Sequence, residues 1–197
     1  MRARHISLLI AALGLALIAG VVAFEMRPRE AELASPIAGI GGPFTLTDMN
    51  GQGFDSASLM GKPWVIFFGF THCPEVCPTT LSDLSQAYAQ LGDKAKDLRA
   101  VFVTVDPERD TAAVLKDYMA SFGPRMVALT GSAPEIAKVA KLFRVFYEKR
   151  PTSDGSYTMD HTALVYLMDS QSRFVGTLDF EEDTATKVKK LENLLTR

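Results

Sequence analysis

The feature that most constrains the fold is a run of seven uncharged, mainly apolar residues, Trp64 to Phe70. A continuous run of this kind is typical of a strand that is buried on both faces of a sheet. It leads into a helix that opens at Pro78, with apolar residues spaced three and four apart as far as Leu91. A strand buried on both faces needs helices to cover it, so this segment predicts an α/β fold.

The rest of the chain continues the alternation of strand and helix patterns. The predicted strands are 44–46 and 53–54 as an N-terminal hairpin, 64–70, 100–105, 126–129, 145–148, 162–168 and 173–178. The predicted helices open at 78, 111, 132 and 184, and the third begins with the capping box Ser132–Glu135. Because the last two strands form a hairpin, we expect a mixed sheet flanked by helices.

The N-terminus predicts a membrane segment. Ile6 to Phe24 is an uncharged run of 19 residues behind Arg2 and Arg4, and a helix of that length spans about 28 Å. We therefore expect a signal anchor over 1–24, with a cleavable signal peptide as the alternative. Residues 25–40 are predicted to be a tether and 41–197 one domain. The lack of an Arg/Ser-rich presequence favours a bacterial inner membrane, with the domain in the periplasm.

Composition excludes several classes of function. The chain has 21 basic and 23 acidic residues and a formal net charge of -2, which argues against binding to nucleic acid. Two cysteines are too few for a disulfide-rich scaffold or a four-thiolate zinc site.

Both cysteines follow the buried strand directly. Cys73 and Cys77 stand four apart at the start of the predicted helix, a spacing that puts both side chains on one helical face. A helix N-terminus also stabilises thiolates. Such a pair suits Cu(I), Zn or a reversible disulfide. A purely structural disulfide is poorly motivated, because so short a loop gains little chain entropy.

A histidine distant in sequence offers a third ligand. His161 directly precedes the predicted strand 162–168 and is placed to face the cysteine loop across the sheet. Two thiolates and an imidazole make a site of the copper type. The alternative is a histidine that is merely hydrogen-bonded at a strand end. His72 is adjacent to Cys73 and is expected to point away from the two sulfurs.

The acidic segment 106–110 follows the predicted strand 100–105. It predicts a turn in which Asp110 caps the next helix.

Four motifs in order resemble the Sco/SenC family of copper-binding assembly proteins. They are FGFTHCPEVCPTTL (68–81), VTVDPERDT (103–111), LTG (129–131) and MDHTALVYLMD (159–169). The resemblance runs from about Gly41 to the C-terminus. It implies a thioredoxin-like fold tethered by one N-terminal membrane helix.

The resemblance also implies a function and a ligand set. One copper, as Cu(I) or Cu(II), is expected on Cys73, Cys77 and His161. Four further residues are expected in the outer shell or in partner docking: Asp160, Glu75, Asp106 and Arg109. Glu75 stands where Asp is commoner and keeps the charge. Such proteins help to load the CuA centre of cytochrome c oxidase subunit II.

The sequence therefore supports two hypotheses on the function of the protein. The first is a copper metallochaperone that is not an enzyme. Its partners would be subunit II and another copper chaperone or a thioredoxin-like reductant. The second is an exported thiol–disulfide oxidoreductase that reduces the CuA-site cysteines. The spacing C-x-x-x-C argues against ordinary redox turnover, since thioredoxins use C-x-x-C.

Overall fold

The structure is a computed structural model, and it describes residues 39–197. The predicted membrane segment 1–24 and the predicted tether, except for its last two residues, lie outside this range. Within 39–197 the structure contains no helix that is long and apolar enough to cross a membrane.

Nine strands and four α-helices make up the domain in the described residues. The strands are β1 (Thr45–Asp48), β2 (Gly53–Asp55), β3 (Trp64–Gly69), β4 (Arg99–Thr104), β5 (Met126–Thr130), β6 (Tyr147–Pro151), β7 (Tyr157–His161), β8 (Val165–Met168) and β9 (Phe174–Leu178). The helices are α1 (Val76–Leu91), α2 (Ala112–Met119), α3 (Ala133–Leu142) and α4 (Thr184–Leu194).

Seven of the strands form one mixed sheet in the order β2-β1-β5-β4-β3-β8-β9. Strand β3 lies near its centre, parallel to β4 and antiparallel to β8. Every residue of β3 is buried, as its apolar run predicts. Helix α1 packs against α4, and α2 packs against β5. The predicted mixed sheet with an N-terminal hairpin and flanking helices is confirmed.

A separate two-stranded sheet carries the predicted histidine. Strands β6 and β7 pair antiparallel, and their register sets Tyr147 opposite His161. The sequence predicted a strand at 145–148 but no strand at 157–161, and the strand predicted at 162–168 begins only at Val165. The expectation that His161 opens a strand of the main sheet is therefore wrong: it ends β7. All of β6 except Tyr147 is exposed, so the hairpin lacks the burial pattern that marks core strands.

The predicted role of Asp110 as a helix cap is also wrong. Helix α2 is capped by Thr111, whose side chain accepts a hydrogen bond from the backbone N–H of Val114. Asp110 is fully buried and turns inward. The capping box at Ser132 and Glu135, by contrast, is confirmed at the start of α3.

Candidate metal centre

Three predicted residues converge where β3 meets α1. One ligand atom from each of Cys73, Cys77 and His161 lies within 4.8 Å of the other two. The Cys77 Sγ to His161 Nε2 distance is 3.4 Å. Both cysteines carry free thiols. The structure thus brings together the three residues that the sequence singled out as metal ligands.

The local backbone explains how the two sulfurs come together. Strand β3 ends at Gly69, and the turn that follows is closed by a hydrogen bond from Cys73 N–H to Phe70 O at 3.3 Å. Helix α1 then starts at Val76, and Cys77 N–H donates to Cys73 Sγ at 3.3 Å. A Cβ atom on Gly69 would lie 2.8 Å from Cys77 Sγ. Glycine at this position therefore leaves room for the buried sulfur.

The imidazole of His161 is oriented by its own chain and by two aromatic rings. Its Nδ1 lies 3.1 Å from the carbonyl oxygen of Thr162. A carbonyl oxygen only accepts, so Nδ1 carries the proton of the neutral ring and Nε2 keeps its free electron pair. The rings of Phe67 and Phe70 meet the imidazole edge to face, at centroid distances of 6.1 and 5.8 Å. Nε2 is therefore presented to the sulfur of Cys77.

Electrostatics make the two cysteines unequal. A hydrogen bond from the Cys77 thiol is the main cause that lowers the pKa of Cys73 to about 4, although burial acts in the opposite direction. The pKa of Cys77 is raised, first because its proton is held by the sulfur of Cys73 and then by burial. Without a metal, the pair therefore consists of one thiolate and one thiol that share a proton.

A buried carboxylate, missed by the sequence analysis, supports the cysteine loop. Asp110 accepts hydrogen bonds from the backbone N–H of Thr71 at 3.0 Å and from its hydroxyl at 2.6 Å. It also accepts one from the Thr104 hydroxyl, at 2.6 Å. These three bonds join the end of β4 to the turn that leads to Cys73. The available signal was a threonine shortly after β3 and another at the end of β4. The usual preference of aspartate for helix caps predicted a different role for Asp110.

Glu75 and His72 lie beside the cluster. Glu75 is exposed at the N-cap position of α1, where its side chain makes no capping hydrogen bond. His72 is exposed, with its Nδ1 3.1 Å from the Thr71 hydroxyl. The structure therefore places neither side chain with the three ligand atoms.

Asp160 does not face the sulfurs, and its expected role in the outer shell stays a prediction. Successive residues of a strand point to opposite faces, and Asp160 lies on the face of β7 opposite to His161. Its carboxylate pairs with Arg150 at 2.9 Å, and its side chain is 54% exposed. A role in docking stays a prediction.

Asp106 and Arg109 contact the hairpin that carries His161. Asp106 is 1% exposed and pairs with Arg109, and it accepts a hydrogen bond from the Tyr157 hydroxyl at 2.9 Å. The sequence analysis did not find Tyr157. The available signal was the alternation of Tyr157, Met159 and His161, which places all three on one face of a strand.

Fold and site together define a class: a mixed α/β protein with a soft-metal donor set at a strand–helix junction. A comparison with protein families then names it. The sequence matches the SCO1/SenC family over residues 34–196, and the chain belongs to that family. The fold is accordingly the thioredoxin-like fold of the Sco proteins.

Curated relatives agree with this assignment. An SCO2-like protein of Rickettsia prowazekii is 42% identical over 138 residues, which cover 69% of this chain and 67% of that protein. Protein SCO1 homolog 1 of Arabidopsis thaliana is 42% identical over 139 residues, which cover 70% of this chain but only 42% of that protein.

Solved structures show the same fold. Copper-bound ScoI of Bradyrhizobium japonicum is 49% identical, with a TM-score of 0.73 over 79% of this chain and 99% of that one. Copper-bound Sco1 of yeast is 37% identical, with a TM-score of 0.73 over 80% and 88%. BsSco, described as a cytochrome c oxidase assembly protein with a disulfide switch, is 25% identical, with a TM-score of 0.62 over 79% and 92%.

Proposed function

We propose that this protein binds one copper ion through Cys73, Cys77 and His161 and helps to assemble the CuA centre of cytochrome c oxidase subunit II. The observation that carries the proposal is the convergence of the three ligand atoms within 4.8 Å. The copper in the related Bradyrhizobium and yeast structures supports the choice of metal. The description of the Sco family as oxidase assembly proteins supports the choice of target.

The donor set fits copper on chemical grounds. Thiolates are soft ligands that favour Cu(I), and imidazole serves either oxidation state of copper. Nε2 of His161 already has its electron pair free, because Nδ1 donates a hydrogen bond to the carbonyl oxygen of Thr162. Cys73 carries a thiolate, whereas Cys77 must give up its proton to become a ligand.

The burial of the ligands suits delivery better than turnover of a substrate. Cys77 is fully buried, while Cys73 and His161 are only partly buried. A partner can therefore approach two ligands of the three and exchange its own for them. We accordingly propose ligand exchange as the main role, with no enzymatic turnover.

We also propose where the exchange takes place. Residues 1–24 would anchor the chain in a bacterial inner membrane, with the domain in the periplasm. Subunit II would receive the copper, and another copper chaperone or a thioredoxin-like reductant would prepare the site. Protease protection of the full chain in sealed inverted vesicles tests this topology.

The test of the ligand set is metal titration of the purified full chain. The reduced wild type is expected to bind one copper and, with Cu(II), to show thiolate-to-copper charge transfer. His161→Ala is expected to weaken binding and shift the spectrum. His72→Ala is the matched control and is expected to leave both unchanged. Wild-type stoichiometry and spectrum in His161→Ala would contradict the proposal.

A second candidate is thiol–disulfide exchange with the CuA-site cysteines, favoured by the thiolate of Cys73 beside the thiol of Cys77. Cys73 would attack a partner disulfide and form a mixed disulfide. Cys77 would then displace the partner as a dithiol and leave a Cys73–Cys77 disulfide. Reductase activity that does not change in His161→Ala would favour this function over copper delivery.

A further inference from the structure

We propose that Asp106, Arg109 and Tyr157 form a clamp that positions His161, and that the clamp decides whether the imidazole reaches the sulfurs. This inference rests on the proposed function, since it assigns a purpose to the placement of a ligand. The three residues are called the hairpin clamp below.

The hairpin needs such an attachment. Strands β6 and β7 pair only with each other, and no strand of the seven-stranded sheet in residues 39–197 pairs with them. The backbone ladder that fixes β3 and its neighbours therefore does not extend to the strand that ends at His161. Side-chain contacts must hold β7 against the domain.

The clamp supplies these contacts around one tyrosine. The Arg109 guanidinium carbon lies 3.8 Å from the centroid of the Tyr157 ring, and its Nη1 donates to the Tyr157 carbonyl at 3.0 Å. Asp106 accepts from Arg109 Nε and from the Tyr157 hydroxyl, at 2.9 Å. Tyr157 is thus held through its ring, its hydroxyl and its backbone.

A continuous set of contacts connects the clamp to the metal ligands. Tyr157 and His161 are four apart in β7, so both point to the same face of the strand. The buried ring of Phe70 lies near both Arg109 of the clamp and His161. Its centroid is 6.0 Å from the Arg109 guanidinium carbon and 5.8 Å from the centroid of the His161 ring. A shift of Tyr157 away from Arg109 therefore moves the imidazole relative to Cys77.

A second link between the same loop and hairpin provides an internal control. Glu108 and Lys149 pair at 2.7 Å, but their side chains are 65% and 43% exposed. An exposed pair contributes little. The Asp106 carboxylate is 1% exposed and the Arg109 side chain 20% exposed, so their interaction is far less screened by water.

The experiment compares Arg109→Met and Tyr157→Phe with the control Glu108→Gln in the full chain. The first readout is amide hydrogen exchange without metal. In Arg109→Met the amides of residues 158–161 are expected to exchange about tenfold faster, as for loss of a hydrogen bond to a charged group. The amides of β3 and β4 are expected to keep wild-type exchange. Tyr157→Phe should show a smaller effect, and Glu108→Gln none.

The second readout is the electron paramagnetic resonance spectrum after loading with Cu(II). In Arg109→Met the nitrogen coupling from the imidazole is expected to weaken towards that of His161→Ala, while the sulfur charge-transfer band remains. A merely structural residue would change stability without this selective loss. Wild-type exchange, or wild-type nitrogen coupling despite faster exchange, would overturn the proposal.

Two further outcomes are decisive. If Arg109→Met does not fold, Tyr157→Phe decides, because it keeps the ring and removes only the bond to Asp106. Wild-type exchange and coupling in that variant would reject the clamp. If the wild type binds no copper, the proposed function fails and the positioning role fails with it. Exchange at residues 158–161 would still show whether the clamp holds the hairpin.

Discussion

The two halves of the metal centre are built in different ways. The cysteine loop follows a central, fully buried strand. Asp110 holds it to the end of β4 by accepting two hydrogen bonds from Thr71 and one from Thr104. The histidine ends a two-stranded hairpin that is not part of the main sheet. The two proposed sulfur ligands therefore belong to the core of the domain, and the proposed nitrogen ligand belongs to an attached element.

This difference suits the proposed function, in which the protein would both hold and release a metal. The two sulfurs stay together in any state that keeps the sheet intact. The position of the imidazole depends on a few side-chain contacts of the hairpin. Of the three proposed ligands, it is therefore expected to dissociate from the metal at the lowest cost in free energy. Under the proposed function, copper would pass to a partner when the hairpin moves and the sulfurs stay in place.

The largest expected effect comes from the rigid half. Cys77→Ser replaces a soft sulfur with a hydroxyl that stays protonated at neutral pH. Copper affinity is expected to fall by more than about 100-fold, beyond the cost of losing an outer-shell partner. A competition titration with a chelator of known affinity measures the change. An affinity close to wild type would mean that Cys77 is not a ligand.

The second prediction concerns the ionisation of the pair. Because the pKa of Cys73 is lowered to about 4, its thiolate persists at neutral pH and is lost only as the pH falls through that value. Its alkylation by iodoacetamide is expected to proceed equally fast at pH 6 and pH 8, where an ordinary thiol slows roughly 80-fold. Mass spectrometry at each pH gives the rate at each cysteine. A steep fall at Cys73 between pH 8 and pH 6 would contradict the assignment.

The third prediction concerns the buried carboxylate that supports the cysteine loop. Asp110→Asn puts an amide in place of a carboxylate that accepts three hydrogen bonds, so at least one donor loses its partner. The free energy of unfolding is expected to drop by about 1–3 kcal/mol, measured by urea denaturation. Asp117→Asn on the exposed face of α2 is the matched control. An equal effect in both variants would remove the special role of Asp110.

The smallest effect is expected on the outer face of the hairpin. Asp160→Asn breaks an exposed pair with Arg150, and copper affinity is expected to stay within about twofold of wild type. The Cu(II) spectrum should not change either. A shifted spectrum would show that Asp160 influences the site from the opposite face of the strand, and would support a role in the outer shell.

The sequence predicts the core well because burial leaves a strong pattern. The apolar run of β3, the helical spacing of α1 and the capping box of α3 each reflect a local rule, and each is found at or close to its predicted position. The two candidate sulfur ligands also follow from residue type and position, since thiols at a strand–helix junction are a local signal. His161 rested mainly on the family resemblance, and its predicted position at the start of a strand of the main sheet was wrong.

Strand β7 of the hairpin and the role of the buried Asp110 carboxylate were not predicted, for physical reasons. The missed strand, β7, has only one buried residue, Met159, so it lacks the continuous apolar run that marked β3. Asp110 lies two residues before α2, and an aspartate so close to a helix start often caps it, but Thr111 takes that role. Only the three-dimensional contact with Thr71 and Thr104 shows what the carboxylate does. The role of Tyr157 likewise depends on its contacts with Arg109, which is distant in sequence.

One hydrogen bond links a proposed metal ligand directly to helix α1. The backbone N–H of Cys77, in the first turn of α1, is satisfied by the sulfur of Cys73, while Glu75 at the cap position offers no side-chain acceptor. The helix is thus capped by the same atom that is proposed to bind copper. The amide proton of Cys77 is accordingly expected to report on that sulfur: its chemical shift should change when copper binds to Cys73.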